Sequence, residues 1–513
     1  MSLPERPTPG SSSLVVGVVG CGVMGKGIVQ IAALGGATVR LFDSRAGGAE
    51  AARKDLAATI GKLAEKGKID AANANAATER LKPCATLDAL ADCHVIVEAI
   101  VEDLDAKRSL FAALEAIAGP DAILATNTSS LPVTAIAAGL KRPQRVGGFH
   151  FFNPVPLMKI VEVIGGFHTD EAVVDYLLAL GRQWGHTAVR AKDTPGFIVN
   201  HAGRGYGTEG LRLLAEGVAS VPTLDAILRD TAGFRLGPCE LLDLTGLDVS
   251  HPVMESIYRQ YFDEPRFRPQ VLTRQMLTAG ALGKKSGQGF YRYDAEGKKQ
   301  AIDEPPQRTL RPKTVWISQE RPELAERIAS LAAAAGVSLE SGAHPSDEAL
   351  CIVTPLGEDA TTCAVREQLD ARRTVGVEAL FDTSRRSVVM TTPATDADYL
   401  AMACGVFGAT GKPVSVIRDS AGLVTQRVVA HIVNVACEIA QQGIADPQDI
   451  DQAVTLGLGY PLGPLAWGDR LGASTVFTIL KNLEQQTGDM RYRASPWLQR
   501  RALLGLSLHH KEI

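Results

Sequence analysis

A glycine-rich turn near the N-terminus constrains the fold of this chain more than any other feature. Residues 20–25 carry glycine at the first, third and sixth positions, directly after the apolar run 14–19 and before a stretch with helical periodicity. A second strand-like run, residues 37–42, ends at Asp43. A strand, a tight glycine turn, a helix, a second strand and an acid form the fingerprint of a dinucleotide-binding unit.

Each glycine of the turn has a physical role in this interpretation. Gly20 permits the turn, Gly22 lets backbone N–H groups approach a pyrophosphate, and Gly25 lets helix and strand pack closely. The alternative is that the glycine pattern arose by chance, because the chain has 50 glycines. The flanking strands and the position of Asp43 after the second strand disfavour this alternative. The predicted cofactor contacts of the turn are Gly20, Gly22, Val23, Met24 and Gly25.

The acid after the second strand predicts which dinucleotide binds. The carboxylate of Asp43 would accept hydrogen bonds from an adenosine ribose and would repel a 2′-phosphate, so NAD is favoured over NADP. Arg45, two residues later, leaves the NADP alternative open.

Composition limits the classes of protein to which the chain can belong. Its 513 residues are 45% hydrophobic and 21% charged, which predicts a soluble globular protein of three or four domains. A net charge of −4 gives no case for nucleic acid or a membrane surface as partner. The eight cysteines lack metal-site spacing and indicate reduced thiols in the cytoplasm, with no metal site.

The chain is predicted to contain an α/β Rossmann-type domain, an all-helical domain, a degenerate α/β segment and a second copy of the helical domain. Strand-like runs alternate with helical runs up to about residue 192, where the pattern turns helical. The predicted limits are a disordered tail at 1–13, the NAD-binding domain at 14–192, a helical domain at 193–300, a reduced Rossmann-like domain at 325–412 and a second helical domain at 413–513.

The second helical domain is inferred from an internal repeat. Eight positions of residues 193–246 recur 226 residues later with the same or a similar residue, which makes chance a poor explanation. Residues 390–393 stand where the first copy has its histidine segment, so we expect one active site per chain. The repeated positions are Asp193, Gly196, Asn200, Asp225, Gly237–Pro238, Asp243 and Gly246, matched by Asp419, Gly422, Gln426, Asp451, Gly463–Pro464, Asp469 and Gly472.

His150 and Glu162 are the candidate catalytic pair. His150 ends a strand, and Glu162 is flanked by Val161 and Val163 in the strand-like run 159–164, where a carboxylate on an apolar face needs a partner. If the two strands lie side by side, the imidazole can be that partner, which gives a base oriented by an acid. The alternative is a structural His–Glu hydrogen bond in the core.

The segments around this pair resemble the short-chain L-3-hydroxyacyl-CoA dehydrogenase family, also called 3-hydroxybutyryl-CoA dehydrogenases. The central segment has His150 followed by Phe-Phe-Asn-Pro, and the duplicated layout is similar to long bacterial members associated with phenylacetate breakdown. The resemblance implies NAD-dependent oxidation of an L-3-hydroxyacyl-CoA to a 3-oxoacyl-CoA, with 3-hydroxyadipyl-CoA or 3-hydroxybutyryl-CoA as substrate. The segments that carry the resemblance are 127–131, 148–159, 161–164, 193–200, 237–238 and 285–291.

The resemblance also implies a role for each matching residue. His150 would take the proton of the substrate's 3-hydroxyl, and Glu162 would orient the imidazole. Ser129 and Asn200 would hydrogen-bond the reacting oxygen or the thioester carbonyl. Other implied contacts are Glu102 and Lys107 near the nicotinamide and Asn153 near the substrate.

Several alternatives stay open at this stage. Lys62 and Lys68 form a solvated helix face by default, or else they hold a phosphate-bearing ligand. Two alternative functions are an NAD-dependent dehydrogenase of a free hydroxy acid, of the gulonate type, and a non-catalytic nucleotide-binding structural protein. The family's single-copy members dimerise through the helical domain, so the chain is expected to form a homo-oligomer or an internal pseudo-dimer.

Overall fold

The computed structural model of the chain describes residues 7–302, 304 and 306–512, which form two compact units. The first unit contains the chain up to His201 together with Gln442–Leu458, and the second contains Ala202–Gln441 and Gly459–Ile513. Of the predicted N-terminal tail, residues 1–6 lie outside the described residues. The domain limits given above stay a prediction.

The first unit is built on an eight-stranded sheet of order β3-β2-β1-β4-β5-β6-β7-β8. Its strands are parallel except that β7 pairs antiparallel with β6, and β8 runs parallel to β7. The strands are β1 Val15–Val19, β2 Thr38–Phe42, β3 Leu81–Pro83, β4 Val95–Glu98, β5 Ile123–Thr126, β6 Val146–Phe151, β7 Ile160–Gly165 and β8 Thr187–Lys192.

Helices cover this sheet and bury its nearly continuous apolar strands, as a parallel sheet requires. The last of them, α16 (Pro447–Leu458), comes from the second copy of the repeat and packs on β7 and β8. The helices of the first unit are α1 Val23–Leu34, α2 Gly48–Glu65, α3 Ala71–Glu79, α4 Leu104–Ile117, α5 Val133–Ala137, α6 Glu171–Gln183 and α16 Pro447–Leu458; α7, Val199–Ala215, begins here and continues into the second unit.

The helices of the second unit include the repeated modules. Asp243 accepts hydrogen bonds from the backbone N–H groups of Phe290 and Tyr291, and its counterpart Asp469 accepts one from Leu508. The two aspartates thus anchor a following segment in each copy. The helices are α8 Val221–Ala232, α9 Pro238–Thr245, α10 Leu247–Gln260 and α11 Val271–Thr278, then α15 Val424–Gln441, α17 Pro464–Leu471, α18 Ala473–Thr487 and α19 Pro496–Leu504.

A second, smaller sheet of order β10-β9-β11-β12-β13-β14 lies in the second unit, and β12 pairs antiparallel with β13. The first strand of this sheet along the chain begins at Thr314, which lies before residue 325, the predicted start of the reduced Rossmann-like domain. The strands are β9 Thr314–Ile317, β10 Ser338–Glu340, β11 Leu350–Val353, β12 Thr374–Val377, β13 Ser387–Thr391 and β14 Val414–Ile417, and its helices are α12 Pro322–Ala334, α13 Ala360–Arg366 and α14 Ala397–Gly408.

The apolar N-terminal stretch, residues 14–39, forms the strand β1, the helix α1 and the beginning of the strand β2. Within the described part of the chain, no helix is both long enough and apolar enough to span a membrane. The eight cysteines are free thiols, and all but Cys84 are buried.

Candidate active site

The glycine turn lies between β1 and α1 with the geometry that a dinucleotide needs. Gly20 has φ of +96°, and a Cβ atom there would lie 2.5 Å from the carbonyl oxygen of Ala99. A Cβ at Gly25 would lie 1.7 Å from the carbonyl oxygen of Gly20, so only glycine allows this contact between helix and turn. A Cβ atom at Gly22 would have no atom of the described residues within 4 Å, so there is open space beside the backbone at this position.

The N-terminus of α1 is open to an anion. Gly22 is the N-cap, and no described side chain caps the helix. Its first turn contains Val23 and Met24, and Val23 is exposed. Unpaired N–H groups at a helix start carry partial positive charge and bind phosphate oxygens, so this turn fits the pyrophosphate of NAD.

Asp43 follows β2 and faces the glycine turn. Its Oδ2 accepts a hydrogen bond from the Cys21 N–H at 2.8 Å, and its Oδ1 accepts one from Nε of Arg45 at 2.9 Å. The hydrogen bond from Arg45 lowers the pKa of Asp43 to about 2, against a smaller opposing effect of burial. The carboxylate is therefore charged at neutral pH and tied to the turn, as a ribose acceptor must be.

His150 and Glu162 are directly opposite each other on β6 and β7. The imidazole Nδ1 lies 2.6 Å from Oε2 of Glu162, and both side chains are buried. The ring of His150 also lies against Phe152 and Phe197, with ring centroids 4.3 Å and 5.8 Å away. With Nδ1 held by the carboxylate, Nε2 is the nitrogen left for another partner.

The other oxygen of Glu162 is held by the backbone at the start of α7. Its Oε1 accepts hydrogen bonds from the N–H groups of Ile198 at 2.8 Å and Val199 at 2.9 Å. These donors precede Asn200, so the same carboxylate orients His150 and positions the helix that carries Asn200. Sequence spacing had indicated the pair, but it had not indicated these two donors.

Ser129 and Asn200 meet in the first unit. Nδ2 of Asn200 donates a hydrogen bond to the carbonyl oxygen of Ser129 at 3.3 Å. The loop around Ser129 is held by Glu102, whose Oε1 accepts from the Ser129 N–H at 2.9 Å and from its hydroxyl at 3.3 Å. Burial opposes the charge of Glu102, yet Lys107 and these hydrogen bonds hold its pKa below the usual range.

Glu98 is a site residue that sequence reasoning missed. It ends β4 with 0% exposure, and it pairs with Lys107, which is 1% exposed, at 2.6 Å. Its Oε2 accepts a hydrogen bond from the hydroxyl of Thr126 at the end of β5. Lys107 also lies 3.3 Å from Glu102, so a buried ion pair connects two strand ends to the Ser129 loop. The only signal in the sequence was an acid at the end of an apolar run.

Three predicted substrate contacts lie apart from this hydrogen-bonded set. Lys62 is in the last turn of α2, and Lys68 lies in the loop between α2 and α3. Both are exposed, and they share one end of the helical hairpin. Asn153 is exposed in the loop between β6 and β7, before a cis peptide bond to Pro154.

The second sheet contains a counterpart of this site. In the first unit Asp193 accepts hydrogen bonds from the N–H groups of Val133 and Thr134, and in the second unit Asp419 accepts them from Ala360 and Thr361. The loop after β11 therefore corresponds to the loop after β5. By this correspondence Leu356 occupies the position of Ser129.

The pairing of β12 with β13 identifies the counterpart of the histidine. Val377 faces Val389 as Phe149 faces Val163, so Glu378 occupies the position of His150 and Val388 that of Glu162. The expectation that residues 390–393 stand at the histidine segment is wrong, because Met390 and Thr391 belong to β13, the strand that corresponds to β7. Burial raises the pKa of Glu378, which accepts a hydrogen bond from Gln426.

Comparison with known proteins places the chain in a family. Residues 15–194 match the family model described as 3-hydroxyacyl-CoA dehydrogenase, NAD binding domain. Residues 196–293 and 422–509 both match the model described as 3-hydroxyacyl-CoA dehydrogenase, C-terminal domain, in agreement with the internal repeat. The chain belongs to the 3-hydroxyacyl-CoA dehydrogenase family. It is an NAD-dependent oxidoreductase that converts an L-3-hydroxyacyl-CoA to a 3-oxoacyl-CoA.

Three relatives illustrate the match. The chain is 38% identical over 490 residues to 3-hydroxyadipyl-CoA dehydrogenase of Escherichia coli K12, covering 95% of this chain and 97% of the relative. It is 41% identical to the probable 3-hydroxybutyryl-CoA dehydrogenase of Bacillus subtilis, covering 54% and 96%. A crystal structure of 3-hydroxybutyryl-CoA dehydrogenase from Escherichia coli K12 superposes with a TM-score of 0.84 at 36% identity, covering 96% and 98%.

Replacing Asp43 by alanine is expected to weaken NAD binding and to narrow the preference for NAD over NADP by about tenfold or more. The change removes a charged hydrogen-bond acceptor and frees Arg45 to meet a 2′-phosphate. The measurement is kcat/KM with each cofactor, with Asp88→Ala at an exposed position as the matched control. An unchanged ratio of the two kcat/KM values contradicts the role of Asp43.

Proposed function

We propose that His150 is the general base of the oxidation. Its Nε2 takes the proton of the 3-hydroxyl group, while Glu162 on Nδ1 fixes the tautomer and stabilises the imidazolium. The glycine turn and Asp43 would hold NAD, which would supply the acceptor for the hydride from C3 of the substrate. The direct pairing of His150 and Glu162 across two strands is the observation that supports this assignment.

Ser129 and Asn200 are proposed to hydrogen-bond the reacting oxygen or the thioester carbonyl. Glu102 acts through the Ser129 loop, whose backbone and hydroxyl it holds, and Lys107 keeps that carboxylate charged. These two are positioning residues, beside the nicotinamide end of the predicted cofactor site.

The remaining predicted residues are proposed to bind NAD and the coenzyme A and acyl portions of the substrate. Gly20, Gly22 and Gly25, with the N–H groups of Val23 and Met24, would hold the pyrophosphate. Asp43 would bind the adenosine ribose. Lys62 and Lys68 at the end of the helical hairpin would meet phosphate groups of coenzyme A, and Asn153 would lie along the acyl portion.

We infer that the substrate is 3-hydroxyadipyl-CoA rather than 3-hydroxybutyryl-CoA. The support is the 38% identity to the Escherichia coli 3-hydroxyadipyl-CoA dehydrogenase along nearly the whole of both chains. The crystal structure with equal coverage is named a 3-hydroxybutyryl-CoA dehydrogenase, so 3-hydroxybutyryl-CoA is the second candidate substrate. The test compares kcat/KM for the two acyl-CoA substrates on the same preparation. A higher value for 3-hydroxybutyryl-CoA overturns the substrate assignment, and absence of turnover of acetoacetyl-CoA with NADH overturns the acyl-CoA chemistry itself.

We further propose that the enzyme is cytoplasmic and that each chain forms an internal pseudo-dimer. Free, mostly buried thiols support the compartment. Reciprocal packing supports the pseudo-dimer: α16 of the second copy lies on β7 and β8, and Asp230 on α8 of the first copy pairs with Arg386 beside β13.

A chain ended after residue 300 is expected to aggregate or to pair with a second truncated chain. It lacks α16 and so exposes the apolar faces of β7 and β8, each buried Å² being worth about 25 cal/mol. Sedimentation velocity and activity measured beside the full-length chain check this. A soluble and stably monomeric fragment contradicts the pseudo-dimer, whereas a folded but inactive fragment shows that the second copy contributes to catalysis.

A further inference from the structure

A cavity of about 880 Å³ lies in the second unit, in the half that lacks the catalytic residues. Arg321 lies between β9 and α12, Leu356 in the loop after β11, and Phe381 in the loop after β12, and all three line the cavity. The cavity is therefore at the carboxyl ends of these parallel strands, which is where ligands bind in α/β sheets. Its size is typical of sites for small organic molecules.

This cavity corresponds to the active site of the first copy, and its chemistry differs. Leu356 stands where Ser129 stands in the first copy, and Phe381 follows Glu378, the counterpart of His150, by three residues. The hydroxyl and imidazole groups of the catalytic site are thus replaced by apolar side chains and by an acid buried beneath the cavity wall, whose Oε1 accepts hydrogen bonds from the Leu380 and Phe381 N–H groups. The cavity has the form of a substrate site without its reactive groups.

A second dinucleotide does not fit here. The N-cap of α12 is Arg321 where the first copy has Gly22, and Pro322 removes an N–H group from the first turn. Glu320 and Glu323 add negative charge at the same helix start. Carboxylates at this position repel a pyrophosphate, so the cavity does not bind NAD in the manner of the first site.

Two arginines at the cavity keep their charge available. Arg321 is paired with Glu358 at 2.7 Å, but Arg327 donates only to the carbonyl oxygens of Ala379 at 3.1 Å and Leu380 at 3.3 Å. Arg470 makes no hydrogen bond or ion pair with any residue that the structure describes. Neither Arg327 nor Arg470 has a carboxylate of the described chain within ion-pair distance.

The charged side chains that line the cavity, three arginines and two carboxylates, have a net charge of +1, which matches a ligand with one negative charge. Two carboxylates also line the cavity, and one of them, Asp382, is occupied by hydrogen bonds from the N–H and hydroxyl of Ser384. Because only two guanidinium groups of the cavity are unpaired, these two carboxylates disfavour the binding of a polyanion such as coenzyme A. Leu356, Phe381 and Leu471 offer apolar contact to the rest of a ligand.

We propose that this cavity binds an organic carboxylate with an apolar body. The guanidinium groups of Arg327 and Arg470 hold the carboxylate, since the planar fork of arginine matches its two oxygens. The apolar body lies against Leu356, Phe381 and Leu471. The site is separate from the catalytic one and does not depend on the function proposed above.

Hexanoate is a suitable probe for the full-length protein. Ligand-observed NMR titrations are carried out with the catalytic site filled by NAD and acetoacetyl-CoA, which do not react with each other. We expect hexanoate to bind under these conditions, with an affinity reduced about tenfold or more in both Arg327→Gln and Arg470→Gln. Leu356→Trp, which fills the cavity, is expected to abolish binding. The matched control Arg372→Gln, at an exposed arginine of the same domain outside the cavity, is expected to bind as the unmodified protein does.

Three results would contradict the proposed carboxylate site. Equal binding of hexanol, an unchanged affinity in Arg470→Gln, or loss of hexanoate binding when NAD and acetoacetyl-CoA fill the catalytic site overturns the proposal. Turnover of acetoacetyl-CoA with NADH is measured on every variant and is expected to be unchanged. Because that assay reports the first site alone, a failure of the proposed catalytic function is distinguishable from a failure of this one.

Discussion

Replacing His150 by alanine is expected to lower kcat by ~10²–10⁴-fold while leaving NADH binding nearly unchanged. The imidazole is held at 2.6 Å by Glu162, so its loss removes the proton acceptor and leaves a buried carboxylate without its partner. The glycine turn is a separate part of the sheet edge and keeps its geometry. Stopped-flow turnover and fluorescence titration of NADH measure the two effects independently.

Two further variants make this result specific. Glu162→Gln is expected to be milder than His150→Ala, because an amide keeps a hydrogen-bonding group beside the imidazole but removes the charge that stabilises the imidazolium. His168→Ala, at an exposed position, serves as the matched control and is expected to have normal turnover. Near-normal turnover of His150→Ala would exclude the histidine as general base and leave the pair as a structural feature of the core.

Replacing Glu209 by glutamine is expected to lower the free energy of unfolding by about 3–5 kcal/mol. Glu209 is 0% exposed, with its Oε1 2.9 Å from Nη2 of Arg427 and 2.6 Å from the hydroxyl of Tyr492; Arg491 lies 3.3 Å away. The substitution leaves two buried guanidinium groups without their common counter-charge. Urea denaturation at neutral pH measures the loss.

The same carboxylate predicts how stability depends on pH. Burial opposes the charge of Glu209, but Arg491 and Arg427 outweigh it and lower its pKa from 4.5 to about 2. The unfolded state therefore binds the proton first as pH falls, so this contribution is complete above about pH 4.5 and is lost as the pH approaches 2.

A matched control exists on the same arginine. Glu216 also pairs with Arg427, but it is 36% exposed, so Glu216→Gln is expected to cost less than about 1 kcal/mol. It should leave the acid dependence nearly intact, whereas Glu209→Gln should flatten it between pH 4.5 and 2. Equal losses in the two variants would show that burial does not set the strength of this network.

Elements that depend on local pattern were predicted well. The helix at Leu104–Ile117 and the strand at Ile123–Thr126 belong to the alternation of helical and strand-like runs that the sequence predicts up to about residue 192. Their periodicity and end signals are local properties of the chain. The strand β8, Thr187–Lys192, gives a weaker signal, because Ala188 and Val189 are both buried and the strict alternation of a half-buried strand is lost.

Register explains the main error in the second half. A strand that pairs with a shift of a few residues has the same local pattern, so nothing in residues 374–393 marks which side chain will stand at the place of the histidine. The pairing of Val377 with Val389 fixes Glu378 there. Only the partner strand could supply that information.

The glycine turn, the acid after β2 and the internal repeat could be derived from the sequence, because each depends on residues close together or on a constant spacing. The pairing of His150 with Glu162 was a hypothesis that required neighbouring strands. The grouping of Glu98, Lys107 and Glu102, and the burial of Glu209 among arginines up to 282 residues away, could not be derived. Such contacts form when distant segments pack and lose water together, and the energy of a buried charge depends on that complete environment, which no local pattern records.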